Sequence, residues 1–302
     1  MSLSIPVAPF EGDATLLANV DVVVIGGGII GISTALTLAE RGVSVAVVEK
    51  GVVAGEQSAR NWGWTRQMGR DPAEIPLTMA SLKLWSQMNE RTGEETGWRR
   101  SGITYLCYNK RDLEIWGGWY EKGKAYGLQS EMLTGPQVEA LLPGSSGGLI
   151  GGLHTPSDGR AEPTLAAVAM AKAARRAGAH IITQCAARGI EQSAGKVSGV
   201  VTEKGRIGCS SVVLAGGVWS RLFAGNLGID FPQLKVMGTV ARVTGARAFP
   251  TCRLAPVTLP TASAWMAITR WRSETPISPR SYPTVSGCLP NTCLPSSRHG
   301  AS

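Results

Sequence analysis

The stretch Val20–Lys50 limits what this chain can fold into more than any other. Val22–Ile25 is a short, β-branched, apolar run and reads as a buried strand. Gly26-Gly27-Gly28-Ile29-Ile30-Gly31 follows it as G-x-G-x-x-G. The spacing predicts a helix over Ile29–Arg41, stopped by Gly42. Val43–Val48 reads as a second buried strand and runs into Glu49. Strand, glycine turn, helix, strand and acid in this order form a dinucleotide-binding unit. The run is not a membrane span, because glycines cluster inside it and Glu40 and Arg41 follow at once.

Each part has a physical task. Gly26 permits a tight turn out of the strand, Gly28 lets a diphosphate approach the backbone, and Gly31 lets the helix lie close to the sheet. The helix opens at Ile29 and Ile30, where unpaired N–H groups and the positive end of the dipole suit phosphate. Glu49 is placed to accept hydrogen bonds from ribose hydroxyls, which favours FAD or NAD over a 2′-phosphorylated cofactor.

At 302 residues the chain can bury a sizeable core, and its length predicts two domains. Met1–Asn19 holds no Lys or Arg and carries Glu11 and Asp13, so no signal peptide is expected and the expected location is cytoplasmic. The six cysteines include no C-x-x-C, and Cys107, Cys185 and Cys209 stand in apolar surroundings expected to be buried. Three histidines, far apart, argue against a His-based metal site, and no metal is expected. The net charge of +8 collects at one end, since residues 247–302 hold six arginines and one acid, Glu274. It is weak evidence for nucleic acid, and no nucleic-acid partner is expected.

After Glu49 the chain turns glycine-rich and polar as far as Trp64, which reads as a loop, and Ser58, Arg60 and Asn61 are candidate donors to a diphosphate. Asp71–Arg91 reads as one helix, with Asp71 as its cap, Pro72 in the first turn, and Ile75, Met79, Leu82 and Trp85 facing the core. Ser101–Tyr108 reads as a strand and Asp112–Tyr126 as a helix whose Trp116, Trp119 and Tyr120 are expected to pack. Leu133–Pro143 looks like a cap and short helix, and Pro156–Pro163 is turn chemistry. An alanine-rich helix over Thr164–Ala177 follows, closed by Gly178. His180–Thr183, Cys185–Gln192, Val197–Thr202 and Ser211–Leu214 read as strands, the last running into Ala215-Gly216-Gly217-Val218-Trp219-Ser220.

Glu49–Gly63 carries E-K-x-x-x-A-G-x-x-S-x-R-N-x-G directly after the glycine fingerprint. This resembles the FAD-dependent D-amino-acid oxidase and dehydrogenase superfamily, and within it bacterial D-amino-acid dehydrogenase-like oxidoreductases. The resemblance implies cofactor roles for Lys50, Ser58, Arg60, Asn61 and Gly63. It continues through the turn Asp158-Gly159 to Pro163 and through the closing Ala215-Gly216, and extends to about residue 246. By position it implies that the backbone of Ala187 meets the adenine and that Ala215 and Gly216 lie near the FAD. The implied fold is α/β: a Rossmann-like FAD/NAD(P)-binding domain with a parallel sheet (18–94 and 157–222) and an incomplete mixed α+β substrate domain (95–156 and 223–246).

Residues 248–302 differ in texture, with eight of the seventeen prolines, three of the six cysteines and no sustained apolar period. The codons fixed by Trp265-Met266-Ala267 admit a shifted frame that reads Asp-Gly, and permissive codons turn the flanking text into ordinary strand-and-turn sequence. Residues 247–302 are therefore expected to be an out-of-frame or disordered tail, with the family's C-terminal part lost.

The resemblance implies oxidation of the C–N bond of a small-molecule amine, above all a D-amino acid, through an imine to a 2-oxo acid. The electron acceptor is left open among a quinone, oxygen and a partner protein, a quinone implying a peripheral place at the inner membrane. No catalytic base is named from the residues. Arg66 and Arg242 are available cations expected to be structural. A catalytically inactive FAD-binding remnant and an NAD-linked enzyme are the competing readings.

Overall fold

The computed structural model describes residues 6–142 and 148–234 and the backbone of two further strands. In chain order the elements are β1 (Val22–Ile25), α1 (Ile29–Ala39), β2 (Val45–Val48), β3 (Trp64–Thr65), α2 (Ile75–Ser86), α3 (Met88–Thr92), β4 (Ile103–Cys107), α4 (Lys110–Ala125), β5 (Glu131–Thr134) and α5 (Gly135–Leu141). There follow β6 (Gly151–Thr155), β7 (Gly159–Arg160), α6 (Pro163–Arg176), β8 (His180–Ile182), β9 (Ala187–Ser193), β10 (Lys196–Thr202), β11 (Gly205–Gly208), β12 (Ser211–Leu214), α7 (Ser220–Gly225), β13 (Arg242–Thr244) and β14 (Ser263–Trp265).

A parallel sheet in the order β12-β1-β2-β8 carries the nucleotide fingerprint. Its strands are apolar on both faces because both faces are covered. Val24, Val45, Val47 and Ile181 point to the side of α1 and α6 and pack on Ile32, Ala35, Leu36, Ala167 and Ala171. Val23, Ile25, Ala46, Val48 and Ile182 point the other way and pack on Val200 and Ile207. These belong to an antiparallel sheet in the order β11-β10-β9. Alternation along each strand thus serves two cores at once. Small alanines on α1 and α6 let the two helices lie close together. The N-terminal segment shields the sheet edge, since Asp13 N–H donates to Ile181 O and Asp13 Oδ2 accepts from Ile181 N–H, both at 2.7 Å.

A second group of elements forms an antiparallel sheet in the order β4-β6-β5 with α4 and α5 against it. Its core is aromatic: Trp116 is buried and stacks on Tyr105 with ring centroids 3.9 Å apart, and Trp119 and Tyr120 pack on the same cluster. The packing role expected for these rings holds. Asn109 caps α4 by accepting from Asp112 N–H, so the helix opens at Lys110, two residues before the predicted start.

The predicted helix over Asp71–Arg91 is corrected. Asp71 caps a single 3₁₀ turn, Pro72–Glu74, and two helices follow, broken at Gln87. Its predicted core face is also corrected: Ile75 is buried and Leu82 and Trp85 are half-buried, but Met79 is exposed. Helical period specifies which residues share a face, not what covers it. The predicted turn Pro156–Pro163 contains β7, which pairs with β3, and its Asp158 is fully buried. Cys107, Cys185 and Cys209 are buried as expected. The expected tail over 247–302 lies outside the described residues, apart from the backbone of β14, which pairs antiparallel with β13. The side chain of Arg242 also lies outside them.

Candidate functional site

A cleft of about 790 Å³ opens at the C-terminal ends of β12, β1 and β2, where ligands bind in open parallel sheets. Its floor is the glycine turn. Gly26 has φ +113°, and a Cβ there would run into the Ala215 carbonyl, so only glycine allows β1 and β12 to end side by side. At Gly28 an added Cβ would stand 3.0 Å from Ser58 Oγ and fill the cradle over the first turn of α1. Gly31 does not line the cleft; its missing side chain lets α1 sit on the Gly26 carbonyl.

Glu49 is buried at the end of β2 and accepts from two backbone donors, Gly27 N–H through Oε2 and Gly51 N–H through Oε1, each at 2.7 Å. Its carboxylate is fixed in place, and each oxygen keeps a second lone pair for a ligand hydroxyl. Ser58 Oγ accepts from Ile29 N–H at 2.8 Å, which docks the loop on the start of α1 and leaves the hydroxyl hydrogen free to donate.

The remaining loop residues do different work from one another. Lys50 lines the cleft, pairs with Glu56 at 2.6 Å and lies 4.2 Å over the Trp219 ring, so it joins the two lips. Asn61 also lines the cleft, but its amide knits its own turn, donating to Ser58 O at 2.8 Å and accepting from Gly63 N–H at 2.7 Å. Arg60 stands outside the lining, paired with Glu56 at 3.2 Å and bonded to Gly55 O. Gly63 is also outside it, where its carbonyl accepts from Ala161 N–H beside the β3–β7 pair. Ala187, at the start of β9, and Ala215 and Gly216, after β12, close the far walls.

Eleven of the fourteen residues singled out in the sequence, all except Gly31, Arg60 and Gly63, therefore meet in one cleft. Sequence reasoning missed Arg188, Asn226, Phe231 and Gln233, which also line it. They lie far along the chain from the fingerprint, with no period or spacing that points to them.

Away from the cleft, Asp158 accepts from Gln67 N–H at 2.9 Å and Gln67 Nε2–H at 3.3 Å. Burial pushes its carboxyl up to about 6 against the opposing effect of these donors. Arg66 donates to Met68 O, Gly69 O and the Tyr105 hydroxyl, which is the structural role expected of it. Among the described residues no group of three or more His, Cys, Asp or Glu is placed to hold a metal ion, and no helix is long and apolar enough to cross a membrane.

The pattern that defines the FAD dependent oxidoreductase family, DAO, matches residues 21–274. This chain belongs to that family. The match runs past residue 246, where the resemblance was expected to end. FAD is the family's cofactor, which sets aside the NAD-linked reading. The cleft fits it, with a glycine cradle, a fixed acceptor at Glu49 and sufficient volume.

Human mitochondrial sarcosine dehydrogenase is 29% identical over 249 residues, covering 79% of this chain and 27% of the relative. The sarcosine oxidase subunit beta of Arthrobacter sp is 33% identical over 220 residues, covering 70% and 54%. Among solved structures, the L-amino acid deaminase from Proteus myxofaciens in complex with anthranilate superposes with a TM-score of 0.73 at 37% identity, covering 79% of this chain and 53% of that one. The chain thus spans about half the length of two of these relatives and about a quarter of the third.

Proposed function

We propose that this DAO-family chain binds FAD in the Gly26–Glu49 cleft and serves the oxidation of the C–N bond of an amine or amino acid. The single observation that carries the reading is the convergence of Gly28, Glu49, Ser58, Ala187 and Gly216 on one cleft inside a family-wide match. In this proposal the first turn of α1 at Ile29 and Ile30, the Gly26 turn and the Ser58 hydroxyl hold the diphosphate, while Glu49 accepts from the ribose. Lys50 and Trp219 reach toward each other across the lip, and Ala187, Ala215 and Gly216 offer backbone rather than side chain. Arg60, Asn61 and Gly63 contribute by shaping the loop. Bound FAD supplies the acceptor for the hydride lost from the carbon next to nitrogen, and water then takes the imine to a carbonyl product and an amine or ammonia.

The substrate class follows the relatives and the sequence together. Their names include sarcosine and L-amino acids, and the resemblance in the sequence adds D-amino acids. The sheet β4-β6-β5 with its helices is proposed as the start of a substrate domain, joined by residues 223–246. A cytoplasmic location, peripheral at the inner membrane if a quinone takes the electrons, completes the proposal and is tested by fractionation.

The decisive test is reconstitution of the purified chain with FAD, desalting and a visible spectrum. A panel of D-amino acids, L-amino acids, glycine and sarcosine with an artificial electron acceptor follows. Retained flavin with turnover of one class supports the proposal and assigns the substrate. Retained flavin with no turnover favours the inactive FAD-binding remnant, and a colourless protein overturns the cofactor site.

A further inference from the structure

Gln57 opens the 3₁₀ turn Gln57–Ala59 and lines the cleft beside Ser58. Its backbone is fixed, because its carbonyl accepts from Arg60 N–H at 3.0 Å and from Asn61 Nδ2–H at 3.3 Å. Its side chain leaves the loop and reaches the turn after β12, where a Cβ added at Gly217 would stand 3.6 Å from Gln57 Oε1. Gly217 lines the same cleft, so the side chain spans from one wall to another. The residue is exposed, and its carboxamide makes no hydrogen bond among the described residues. No bond therefore fixes which end of the amide is nitrogen, and either end can turn to a ligand. The other long polar side chains of the loop are committed. Lys50 and Arg60 pair with Glu56 at 2.6 and 3.2 Å, and the Asn61 amide donates to Ser58 O at 2.8 Å.

We propose that Gln57 is a cofactor-binding residue whose Nε2–H donates to a diphosphate oxygen of bound FAD. The inference rests on the cleft being the FAD site. Ser58, the next residue, accepts from Ile29 N–H, so Gln57 is anchored one position from the first turn of α1, where a diphosphate is favoured. A diphosphate presents acceptor oxygens, and the Gln57 amide brings two uncommitted N–H donors to them. The sequence singles out Ser58, Arg60 and Asn61 and passes Gln57 by, because its reach to Gly217 exists only once β12 lies beside β1.

The test is titration of the full-length chain with FAD in wild type, Gln57→Met and Gln57→Glu, followed by flavin fluorescence and calorimetry, with thermal melting of each chain before FAD is added. Met keeps the length of the side chain and removes the donors. Glu keeps the shape, removes the donors and sets a negative charge against the phosphates. The expected result is FAD affinity about ten-fold weaker in the Met variant and weaker again in the Glu variant. The gap between the two is expected at about 0.05 M salt and to close towards about 0.5 M, because salt screens the added repulsion. Melting without FAD is expected to match wild type in the Met variant, since the carboxamide has no hydrogen bond within the described chain to lose. Wild-type affinity in the Met variant overturns the contact while leaving the cleft reading intact. A Glu variant that binds better than Met overturns it, because the side chain then serves as an acceptor. A Glu variant equal to Met at low salt overturns the diphosphate as its partner. A Met variant that melts early without FAD also overturns the proposal, because the side chain then supports the loop itself. A wild type that binds no FAD overturns the cleft reading and this inference together.

Discussion

Glu49 Oε2 accepts from the Gly27 N–H at 2.7 Å, so the acid that ends β2 holds the turn that ends β1. The same carboxylate holds the Gly51 N–H through its other oxygen. Replacement by Gln offers one acceptor to two fixed donors and sets an amide NH₂ against one of them. Glu49→Gln is therefore expected to lower stability by about 1–3 kcal/mol and to weaken FAD binding at least ten-fold. Thermal melting without FAD and a flavin titration check the two effects separately. Unchanged melting would show that the two backbone bonds are dispensable.

Gly31 and Gly118 are both helical glycines with opposite surroundings. A Cβ at Gly31 collides with the Gly26 carbonyl, and the backbone cannot yield without separating α1 from β1. A Cβ at Gly118 on α4 meets nothing within 4 Å. Gly31→Ala is expected to cost about 3 kcal/mol or more. Gly118→Ala is expected to stabilise the chain by up to about 1 kcal/mol. Chemical denaturation of the two variants beside wild type measures both, and the same sign for both would contradict the packing described.

Asp158 gives the fold a pH dependence. Its carboxyl is pushed up to about 6 by burial from an ordinary value of 3.8, so the folded state holds the proton more tightly than the unfolded chain does. The resulting stability is complete below pH 4 and is lost as pH rises through about 6. The loss over that window is up to about 3 kcal/mol. Asp158→Asn keeps an oxygen for the Gln67 N–H and has no proton to lose. The variant is expected to show a flat contribution between pH 4 and 7 in denaturant titrations, where wild type slopes downward.

Lys50 and Trp219 meet across the mouth of the cleft, 4.2 Å from ammonium to ring centroid. Trp219→Ala removes the ring while leaving the Lys50–Glu56 pair in place. A contact of this kind contributes about 0.5–2 kcal/mol, so FAD is expected to dissociate roughly 2- to 30-fold faster from the variant. Trp219→Phe is expected to fall between the two. Stopped-flow release of FAD into excess apoprotein scavenger measures the rates, and equal rates would show that the two lips act independently.

The dinucleotide unit was legible because its instructions are local. β-branched runs, a glycine turn and a helix stop act over a few residues, and each physical requirement picks out a residue type. The break at Gln87 and the exposed Met79 were not legible, because helical period fixes a face and says nothing about its cover. Asp158 looked like a turn residue, since the donors that bury it, at Gln67 and Met68, lie some ninety positions earlier in the chain.

The sequence by itself determined that β1, α1 and β2 form, that Gly26 and Gly31 are sterically required, and that an acid ends the second strand. Each of these depends on backbone geometry within one supersecondary unit. Only the tertiary structure decided that the antiparallel strands β9 to β11 cover the second face of the parallel sheet, and that Arg60 turns to Glu56 instead of the cleft. It alone brought Trp219 and Gln233 to the lip. Those outcomes depend on which distant surfaces meet, and burial and hydrogen-bond satisfaction settle that only after the chain has closed on itself.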